Sequence, residues 1–410
     1  MKPVKILYDF LTLHSKNGAA EYTRRVFYAL LSKVQKEEKN FIIYCLYDSS
    51  SMPKYEELLP ETLIDEHVKF VDISNGIDSV NALGCDIFFF GCAQNGSWHP
   101  ELQNIKCKSV IVFHDCVWEE LYNNDLNIYM MLNSEDIFRY RETKPGGKKL
   151  YFDFKSPTIR FCRWLLYSRQ HGILEKGYKM VQPSLNLLKK REDNVIVTVS
   201  DYSKRTLMYN FGIPEERIVV KYSPERVYEY MEGECENKNL RSLIEQKKKY
   251  YLLVSAGRVP KNAKKTLAAF RHYTEISIDS YVVSIGYGSS LYKNHIDLPF
   301  LGDADLQKAY ANCYALIYPS YFEGFGYPPL EAMKYGKPVL SSNVCSMPEV
   351  LENAPIYFSP LYESAIFGAL CQLNDANYHE RSNMSRIQYT KVHEKQEDDL
   401  EDLTRIIMSC

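Results

Sequence analysis

Two glutamates with seven residues between them, Glu323 and Glu331, lie in the sequence YPSYFEGFGYPPLEAMKYGKPV, which begins at Tyr318. The pattern predicts a strand that ends at Tyr318, a glycine-containing loop, and a helix that begins near Pro328 and Pro329, since proline is favoured in a first helical turn. Glycine allows close backbone approach, and a helix N-terminus offers free N–H groups to an anion. An anionic ligand therefore fits this part of the chain.

Glu331 falls in the first turn of the predicted helix, and we expect its side chain to point back toward the same cleft. A carboxylate in that place is suited to accept hydrogen bonds from two vicinal hydroxyls, as a ribose presents. A ligand that carries vicinal hydroxyls beside an anionic group therefore suits this segment.

The complete string resembles the signature of the retaining GT-B glycosyltransferases of family 4, P-S-x-x-E-G-F-G-x-P-x-L-E-A-M-x-x-G-x-P-V. The resemblance implies an α/β GT-B fold, in which two Rossmann-like, doubly wound domains face each other across a cleft. It also implies that Glu331 binds the nucleotide ribose and that Glu323 contacts the donor sugar. The loop of Gly324, Phe325 and Gly326 would support the sugar and phosphate. The backbone amides of Phe325 and Gly326 would make these contacts.

Two cations precede this string in the segment SAGRVPKNAKKTLAAF, which begins at Ser255. The segment resembles the family's strand, Arg…Lys-Asn turn and helix. By that resemblance, Arg258 and Lys261 would neutralise the donor diphosphate, where cations stabilise the charge that develops on the leaving group. Lys264 and Lys265 are interpreted as solvated charges of the following helix.

His114 and Asp115 directly follow a predicted strand, Val110–Phe113. The family has a His-Asp pair at this place, and the resemblance implies that His114 reaches the donor sugar. The alternative is a histidine with no ligand, whose hydrogen bonds are satisfied by the protein at the end of the strand. Asp115 would only orient a neighbouring group or act as a cap.

The segment NGAAEY, which contains Gly18, resembles the family's first glycine loop, which approaches the donor phosphate and the acceptor. Relatives often have two adjacent glycines where this chain has Gly18 and Ala19, so a plain loop-to-helix junction is the alternative. A second segment, VTVSDYSK at 197–204, matches the family's Ser-Asp/Glu-x-Ser strand end and is expected to line the cleft without a catalytic role.

The elements that must position these residues are predicted from short apolar runs that alternate with helical patterns. In the first half, the predicted strands are Val4–Tyr8, Phe41–Tyr47, Asp86–Phe90, Val110–Phe113 and Val195–Val199, and the helices are Tyr22–Leu31 and Ser203–Phe211. In the second half, the strands are Tyr251–Ala256, Tyr281–Gly286, Leu298–Leu301, Ala315–Tyr318 and Pro338–Ser341, and the helices are Ala263–Ile276, Asp303–Asn312, Pro329–Tyr335 and Met347–Leu351. Such alternation predicts mostly parallel sheets covered on both faces.

Domain boundaries follow from a charged stretch without strand character at 225–248, which is interpreted as a linker. It separates an N-terminal, acceptor-binding domain (1–224) from a C-terminal, sugar-nucleotide-binding domain (249–385). A terminal helix over about 386–410, with Leu400, Leu403, Ile406 and Ile407 on one face, is expected to pack back on the first domain.

Composition excludes several classes of protein. A chain of 410 residues with 45% hydrophobic and 25% charged residues is typical of a soluble protein of two domains. A net charge of -2 argues against a general affinity for nucleic acid. Eleven cysteines without a C-x-x-C pair predict free thiols in a reducing compartment. With no signal peptide and no spanning segment in the sequence, we expect a cytoplasmic protein, or one on the inner face of the plasma membrane.

The family resemblance implies transfer of a hexosyl-type sugar, with retention of configuration, from a nucleoside-diphosphate sugar to a hydroxyl of a glycan or lipid-linked acceptor. Cell-surface polysaccharide synthesis is the expected setting. No cofactor is implied, and no metal is expected, because Asp303 and Asp305 read as a helix cap. A phosphorylase or epimerase on the same fold and a noncatalytic, sugar-nucleotide-binding subunit of a transferase complex are the alternatives.

The segment 138–191 concentrates positive charge and aromatic residues, including Arg139, Tyr151, Trp164 and Lys190, with few acidic residues. Such a surface could dock anionic headgroups while its aromatics enter the membrane interface. A polyprenyl-linked anionic acceptor, a soluble anionic acceptor and an ordinary solvated insertion are the three interpretations.

Overall fold

The computed structural model describes residues 2–14, 17–36, 41–51, 65–117, 120, 179–226 and 235–409. Most of the segment 138–191 therefore lies outside the described residues, and its predicted membrane contact stays a prediction.

The first sheet has seven strands in the order β3-β2-β1-β4-β5-β6-β7, and its strand pairs are parallel. Its strands are β1 (Val4–Asp9), β2 (Phe41–Tyr47), β3 (Val68–Asp72), β4 (Ile87–Phe90), β5 (Lys108–Phe113), β6 (Val195–Thr198) and β7 (Ile218–Val220).

The second sheet has six strands in the order β10-β9-β8-β11-β12-β13, again with parallel pairs. Its strands are β8 (Lys249–Leu253), β9 (Ser280–Ile285), β10 (His295–Leu298), β11 (Ala315–Tyr318), β12 (Val339–Ser342) and β13 (Ile356–Phe358).

Helices connect the parallel strands and cover both faces of each sheet. They are α1 (Gly18–Val34), α2 (Ile77–Ala82), α3 (Asp201–Phe211), α4 (Lys238–Glu245), α5 (Ala263–Tyr273), α6 (Asp303–Asn312), α7 (Tyr327–Lys334), α8 (Met347–Leu351), α9 (Glu363–Gln372) and α10 (Asp375–Met408). Residues 179–189 are also helical. Because helices lie on both faces, central strands such as β4 and β11 are buried at every residue.

Each sheet has one place where the order of its strands reverses. This place lies between β1 and β4 in the first sheet and between β8 and β11 in the second. In open α/β sheets, ligands bind at the carboxyl ends of the strands beside such a reversal. In the second sheet the loops after β8 and β11 meet there. In the first sheet Asp9, at the end of β1, accepts hydrogen bonds from the N–H groups of Thr12 (3.1 Å) and Gly91 (3.0 Å) and so joins the loops after β1 and β4.

The last helix, α10, bridges the two sheets. Its first half packs on the second sheet's domain, where Ser382 donates to the carbonyl of Gly336 (2.6 Å) and Gln388 to that of Val350 (2.8 Å). Its second half lies against α1, where Lys33 donates to the hydroxyl of Thr404 (3.0 Å). The helix thus begins eleven residues before the predicted 386, and Leu400, Leu403 and Ile407 are buried.

Several boundaries differ from the sequence prediction. The predicted strand Leu298–Leu301 is wrong: β10 spans His295–Leu298, because Pro299 has no N–H to continue the ladder. The strands β3, β7 and β13 were not predicted. β7 and β13 are three-residue edge strands, and β3 carries charged residues at Lys69 and Asp72, so none has a long apolar run.

The segment 225–248, predicted as a linker, contains the helix α4, which was not predicted because the segment is rich in charged residues. Asn237 caps α4 by accepting from the N–H of Leu240 (3.0 Å), and Leu240 and Leu243 are buried. The interpretation of Asp303 and Asp305 as a cap of α6 is wrong, because α6 begins at Asp303 itself. Asp305 instead accepts from the backbone N–H groups of residues 236 (3.0 Å) and 237 (2.8 Å) and holds the start of α4.

Two further observations concern the described residues as a whole. Their nine cysteines are all free. None of their helices is both long enough and apolar enough to cross a membrane.

The packing of α10 predicts a contrast between two isoleucines on that helix. Ile407 is fully buried in the core, whereas Ile387 is 61% exposed. We expect Ile407→Ala to lower the free energy of unfolding by about 2–5 kcal/mol, since it deletes buried methyl groups and leaves a cavity. Ile387→Ala, the matched control, should change it by less than about 0.5 kcal/mol. Urea unfolding of both variants measures the difference, and equal values would contradict the docking of the helix end.

Candidate active site

The central contact of the site is an ion pair between Lys261 and Glu323. Nζ of Lys261 lies 2.5 Å from Oε1 of Glu323 and 2.7 Å from the hydroxyl of Tyr318. The two charged side chains are only 10% and 14% exposed. Because a buried charge is costly without a partner, each of these side chains stabilises the other in place.

The loop after β8 places Lys261 through a single 3₁₀ turn, Val259–Lys261. The next residue, Asn262, has a left-handed backbone (φ 50°), which asparagine tolerates better than most residues. Its Nδ2 donates to the carbonyl of Pro360 (2.8 Å). The turn is thereby tied to the body of the domain, and Lys261 is held at the reversal of strand order.

Tyr318, the last residue of β11, is a site residue that the sequence argument did not identify. Burial raises the pKa of its phenol well above the usual range, and the nearby carboxylates of Glu323 and Glu331 raise it further. The hydroxyl therefore stays neutral and accepts the hydrogen bond from Lys261. Its position at the carboxyl end of a central strand was the available signal.

Arg258 and Asp115 belong to the same group of charges. Arg258 is exposed on the turn that carries Lys261. Burial raises the pKa of Asp115, the charge of Glu323 raises it further, and the charges of Arg258 and Lys261 oppose the rise. Asp115 also accepts from the N–H of Val117 (3.2 Å), and the orienting or capping role expected of it stays a prediction. Charged residues of both domains thus face one space.

His114 lies at the end of β5, where the sequence predicted it. Its Nε2 is 2.9 Å from the carbonyl of Gly91, so Nε2 carries the proton and Nδ1 a lone pair. The ring contacts Tyr22 edge to face, with centroids 4.9 Å apart. Burial lowers the pKa of His114 to about 4, against the opposing effect of the Gly91 carbonyl. The imidazole is therefore neutral at pH 7.

The glycine loop after β11 lies against the other domain. A Cβ atom on Gly324 would be 2.1 Å from the carbonyl oxygen of His114, so only glycine fits. Gly326 has a left-handed backbone (φ 93°) and precedes α7. Within the described chain, no acceptor receives a hydrogen bond from the N–H of Phe325 or of Gly326. These two N–H groups therefore keep unused donor capacity among the described residues, and both residues are buried.

Glu331 lies on α7, but not in its first turn. The helix begins at Tyr327 and Glu331 is its fifth residue, so the predicted first-turn position is wrong. The cause is the left-handed Gly326, which lets the helix begin before the two prolines. Glu331 is half-buried, lines a small cavity with Arg226 and Tyr327, and contributes to the raised pKa of Tyr327, after burial.

Gly18 is the first residue of α1, and Asn17 caps that helix by accepting from the N–H of Ala20 (3.0 Å). A Cβ at Gly18 would lie 3.5 Å from the ring of Tyr327, which is ordinary contact distance. The first loop of the N-terminal domain thus lies against the start of α7, and it is also a loop-to-helix junction.

Lys265 differs from its interpretation as a solvated charge. It is 8% exposed, and its Nζ donates to the carbonyl of Leu361 (3.2 Å). The residue faces the domain interior because α5 packs on α9 at this side.

The two domains are joined near the site by polar contacts that were not predicted individually. Ser200 donates to the carbonyl of Gly324 (2.7 Å), across the cleft. Glu349, from α8, accepts from the N–H groups of Asp201 (2.8 Å) and Tyr202 (3.0 Å) and so caps α3 of the other domain. The segment 197–204 was predicted to line the cleft, and these contacts place it there.

The arrangement offers positive charge, free amides and a neutral imidazole around one space, which suits a ligand with a phosphate and several hydroxyls. Among the residues that the structure describes, no cluster of His, Cys, Asp and Glu has the composition of a metal site.

Comparison with solved structures defines the fold. Sucrose-phosphate synthase of Thermosynechococcus elongatus superposes with a TM-score of 0.64 over 99% of this chain and 98% of that one, at 10% identity. The Anabaena protein HepE, solved with UDP-glucose, gives a TM-score of 0.61 over 98% and 99%, at 13% identity. The chain has the GT-B fold, and the predicted fold class is confirmed.

Comparison of sequences is more specific in the second domain. Residues 236–358 match the family described as glycosyl transferases group 1. Over 179 residues, the chain is 30% identical to the O-antigen chain mannosyltransferase RfbU of Salmonella typhimurium. The aligned region covers 40% of this chain and 46% of that protein. The chain spans about half the length of the curated relatives it matches.

The buried His114 predicts a loss of stability in acid. Its pKa is about 4 in the folded chain against an ordinary 6.5, so between these values the unfolded chain binds a proton that the folded chain does not. The free energy of unfolding should therefore fall as the pH drops through this window, by at most about 1.4 kcal/mol per pH unit from this group.

We expect His114→Gln to reduce that slope, as measured by urea unfolding between pH 4.5 and 7. His272→Gln is the matched control, because His272 lies on the surface with its side chain 70% exposed. An identical slope in wild type and His114→Gln would contradict the neutral, buried imidazole.

Proposed function

We propose that this protein is a retaining, metal-independent glycosyltransferase that moves a hexosyl-type sugar from a nucleoside-diphosphate sugar to a hydroxyl of a glycan or lipid-linked acceptor. The observation that carries the proposal is the Lys261–Glu323 pair beside the two free amides of the loop after β11. The match of residues 236–358 to glycosyl transferases group 1 supports it.

We assign the donor diphosphate to the two cations and the two backbone amides of the site. Lys261 and Arg258 lie on one turn, and Phe325 and Gly326 directly precede the start of α7. Cations and amides together stabilise a diphosphate more as it leaves than before, because its negative charge increases.

The sugar and the ribose are assigned to carboxylates. Glu323, already oriented by Lys261, would accept from hydroxyls of the donor sugar, and the lone pair of His114 Nδ1 would accept from another. Glu331 would accept from the vicinal hydroxyls of the ribose. Gly18 would admit the donor phosphate and the acceptor beside Tyr327.

The proposed reaction needs no enzyme nucleophile. The bond from the anomeric carbon to the phosphate oxygen breaks through an oxocarbenium-like state, and the acceptor oxygen bonds to the same face of the sugar. The acceptor proton passes to an oxygen of the departing phosphate. Lys261 and Arg258 stabilise the charge on that leaving group.

The names of similar proteins suggest where to begin with substrates. The similar Salmonella protein is an O-antigen chain mannosyltransferase, and HepE was solved with UDP-glucose. We therefore propose a role in cell-surface polysaccharide synthesis, at the cytoplasmic face of the membrane, with a glycan or polyprenyl-linked acceptor. Contact of the segment 138–191 with anionic lipid belongs to the same proposal.

A donor screen tests the proposal directly. UDP-, GDP- and dTDP-sugars are added in the presence of EDTA, and the melting temperature and slow donor hydrolysis are measured. A ligand at one hundred times its Kd stabilises the native state by about 2.7 kcal/mol. Binding with hydrolysis supports a transferase, binding without any turnover supports the noncatalytic subunit, and activity that requires a metal would contradict the metal-free mechanism.

Glu331→Gln tests the ribose assignment. Because the hydroxyl contacts exist both before and during transfer, the donor KM should rise about tenfold with a smaller change in kcat. Calorimetry with the free nucleoside diphosphate should show the same loss of affinity. Glu380→Gln, on the exposed surface of α10, is the control. Unchanged affinity for the nucleotide in Glu331→Gln would refute the assignment.

Lys261→Met tests the leaving-group assignment. We expect kcat to fall about 10²-fold or more, because the lost charge matters most in the transition state. Lys293→Met, at an exposed position, is the control. Since the variant also leaves Glu323 without its partner, melting temperatures are compared with the double variant Lys261→Met/Glu323→Gln. Full activity of a folded Lys261→Met protein would show that another cation has this role.

A further inference from the structure

One hydrogen bond joins the proposed donor loop to the opposite domain. Ser200, at the end of β6, donates from Oγ to the carbonyl oxygen of Gly324 at 2.7 Å. Ser200 is fully buried, whereas Gly324 is half-buried. The hydroxyl of Ser203 lies 3.5 Å from the same oxygen, at the limit of hydrogen-bond distance.

The position of this carbonyl controls the direction of the next amide. The carbonyl of Gly324 and the N–H of Phe325 belong to one planar trans peptide group, in which they point in opposite directions. A donor that fixes the oxygen therefore fixes the N–H as well. The Phe325 N–H is one of the two amides without an acceptor among the described residues.

The preceding peptide group is held from within its own domain. Ser346 donates to the carbonyl of Glu323 at 3.0 Å, and both residues belong to the C-terminal domain. The Glu323–Gly324 peptide is thus fixed whether or not the domains are together. By contrast, the Gly324–Phe325 peptide depends on a residue of the N-terminal domain.

Other contacts bring Ser200 to this loop. Glu349 accepts from the N–H groups of Asp201 and Tyr202, so the start of α3 is bound to the C-terminal domain directly beside Ser200. On the other side of the loop, Gly324 lies against the carbonyl of His114 without room for a side chain. The loop is therefore held between the ends of β5 and β6.

We propose that Ser200 is a positioning residue that turns the Phe325 N–H toward the donor when the two domains close. The inference rests on the proposed function. Since the orienting donor comes from the opposite domain, the amide would reach its working direction only in the closed arrangement. A nucleotide bound to the C-terminal domain alone would not need this bond, whereas sugar transfer would.

Ser200 has a second role that the test must separate. Its Oγ also accepts from the N–H of Ser203 (3.1 Å) and so caps α3. Glycine at an N-cap costs only a few tenths of a kcal/mol, whereas alanine costs about 1 kcal/mol. Ser200→Gly therefore removes the hydrogen-bond donor with little loss of capping, and Ser200→Thr keeps both functions.

The kinetic test uses hydrolysis of GDP-mannose and UDP-glucose, with calorimetry of GDP and UDP. We expect Ser200→Gly to lower kcat about 10- to 100-fold, while donor KM and nucleotide Kd change less than about threefold. Ser200→Thr should restore most of the rate. Asn374→Ala, which removes the cap of α10, controls for a lost cap and should leave kcat unchanged. Wild-type kcat in Ser200→Gly, or an equal loss in Asn374→Ala, would overturn the proposal.

A spectroscopic test does not depend on activity. Gly324-Phe325 is the only Gly-Phe sequence in the chain, so labelling glycine carbonyls with ¹³C and phenylalanine amides with ¹⁵N gives one cross-peak for this peptide. We expect the peak to move in Ser200→Gly and Ser200→Ala, and to remain in Asn374→Ala. Nucleotide should shift the wild-type peak more than the Ser200→Gly peak.

The two tests distinguish the possible failures. A peak that does not respond to Ser200→Gly would overturn the inference, whatever the activity. If the wild-type protein turned over none of the donors, the proposed function would be refuted. A nucleotide-induced shift of the Gly324-Phe325 peak that depends on Ser200 would still support Ser200 as the residue that orients this amide.

Discussion

The buried pair of Lys261 and Glu323 is the contact on which the rest of the site depends. An ammonium group removed from water is stable there only with a close carboxylate, and the hydroxyl of Tyr318 supplies its second hydrogen bond. The pair draws the loop after β8 and the loop after β11 together, at the place where the strand order reverses. A ligand that meets this site finds a cation whose position is already determined.

The opposite domain completes the site through short polar contacts, which lie beside aromatic ones such as that of Tyr202 with Phe322. Gly324 lies against the carbonyl of His114, Ser200 holds the carbonyl of Gly324, and Glu349 caps α3. Each contact is short and directional, so a small change in the angle between the domains breaks all of them together. Under the proposal made for Ser200, the geometry of this loop depends on the closed arrangement of the domains.

The sequence predicts the parts of this molecule that depend on local pattern. Buried central strands such as Phe41–Tyr47 and Ala315–Tyr318 were predicted to the residue, because a parallel strand covered on both faces is a continuous apolar run. Glycine and proline in the Glu323–Glu331 string predicted the loop and helix. The edge strand Ile356–Phe358 carries too little of such pattern to be identified.

The contacts that a single sequence does not reveal are those between distant segments. Nothing in the neighbourhood of Ser200 indicates that its hydroxyl binds residue 324, and nothing near Glu349 indicates that it caps a helix of the other domain. Glu331 is the fifth residue of its helix and not the third, as in the predicted Pro329–Tyr335, because the left-handed Gly326 is a property of the folded loop. The roles assigned to the predicted site residues all remain predictions: His114, Arg258, Lys261, Glu323, Glu331, Gly18 and the loop of Gly324, Phe325 and Gly326.

The helix α10 has a mechanical consequence. The chain crosses between the domains after Tyr222 and again within α10, where Gln388 contacts Val350 and Gln396 contacts the carbonyl of Ser223 at 2.5 Å. This last hydrogen bond joins the two crossings to each other, so the domains are connected at one place, about which a rotation is the simplest motion. A rotation of this kind moves the far rim of the cleft most and the residues near the crossings least. Phe325, in the loop after β11, contacts Tyr222 at one crossing, with ring centroids 5.3 Å apart, so such a rotation would displace this loop less than the far rim of the cleft.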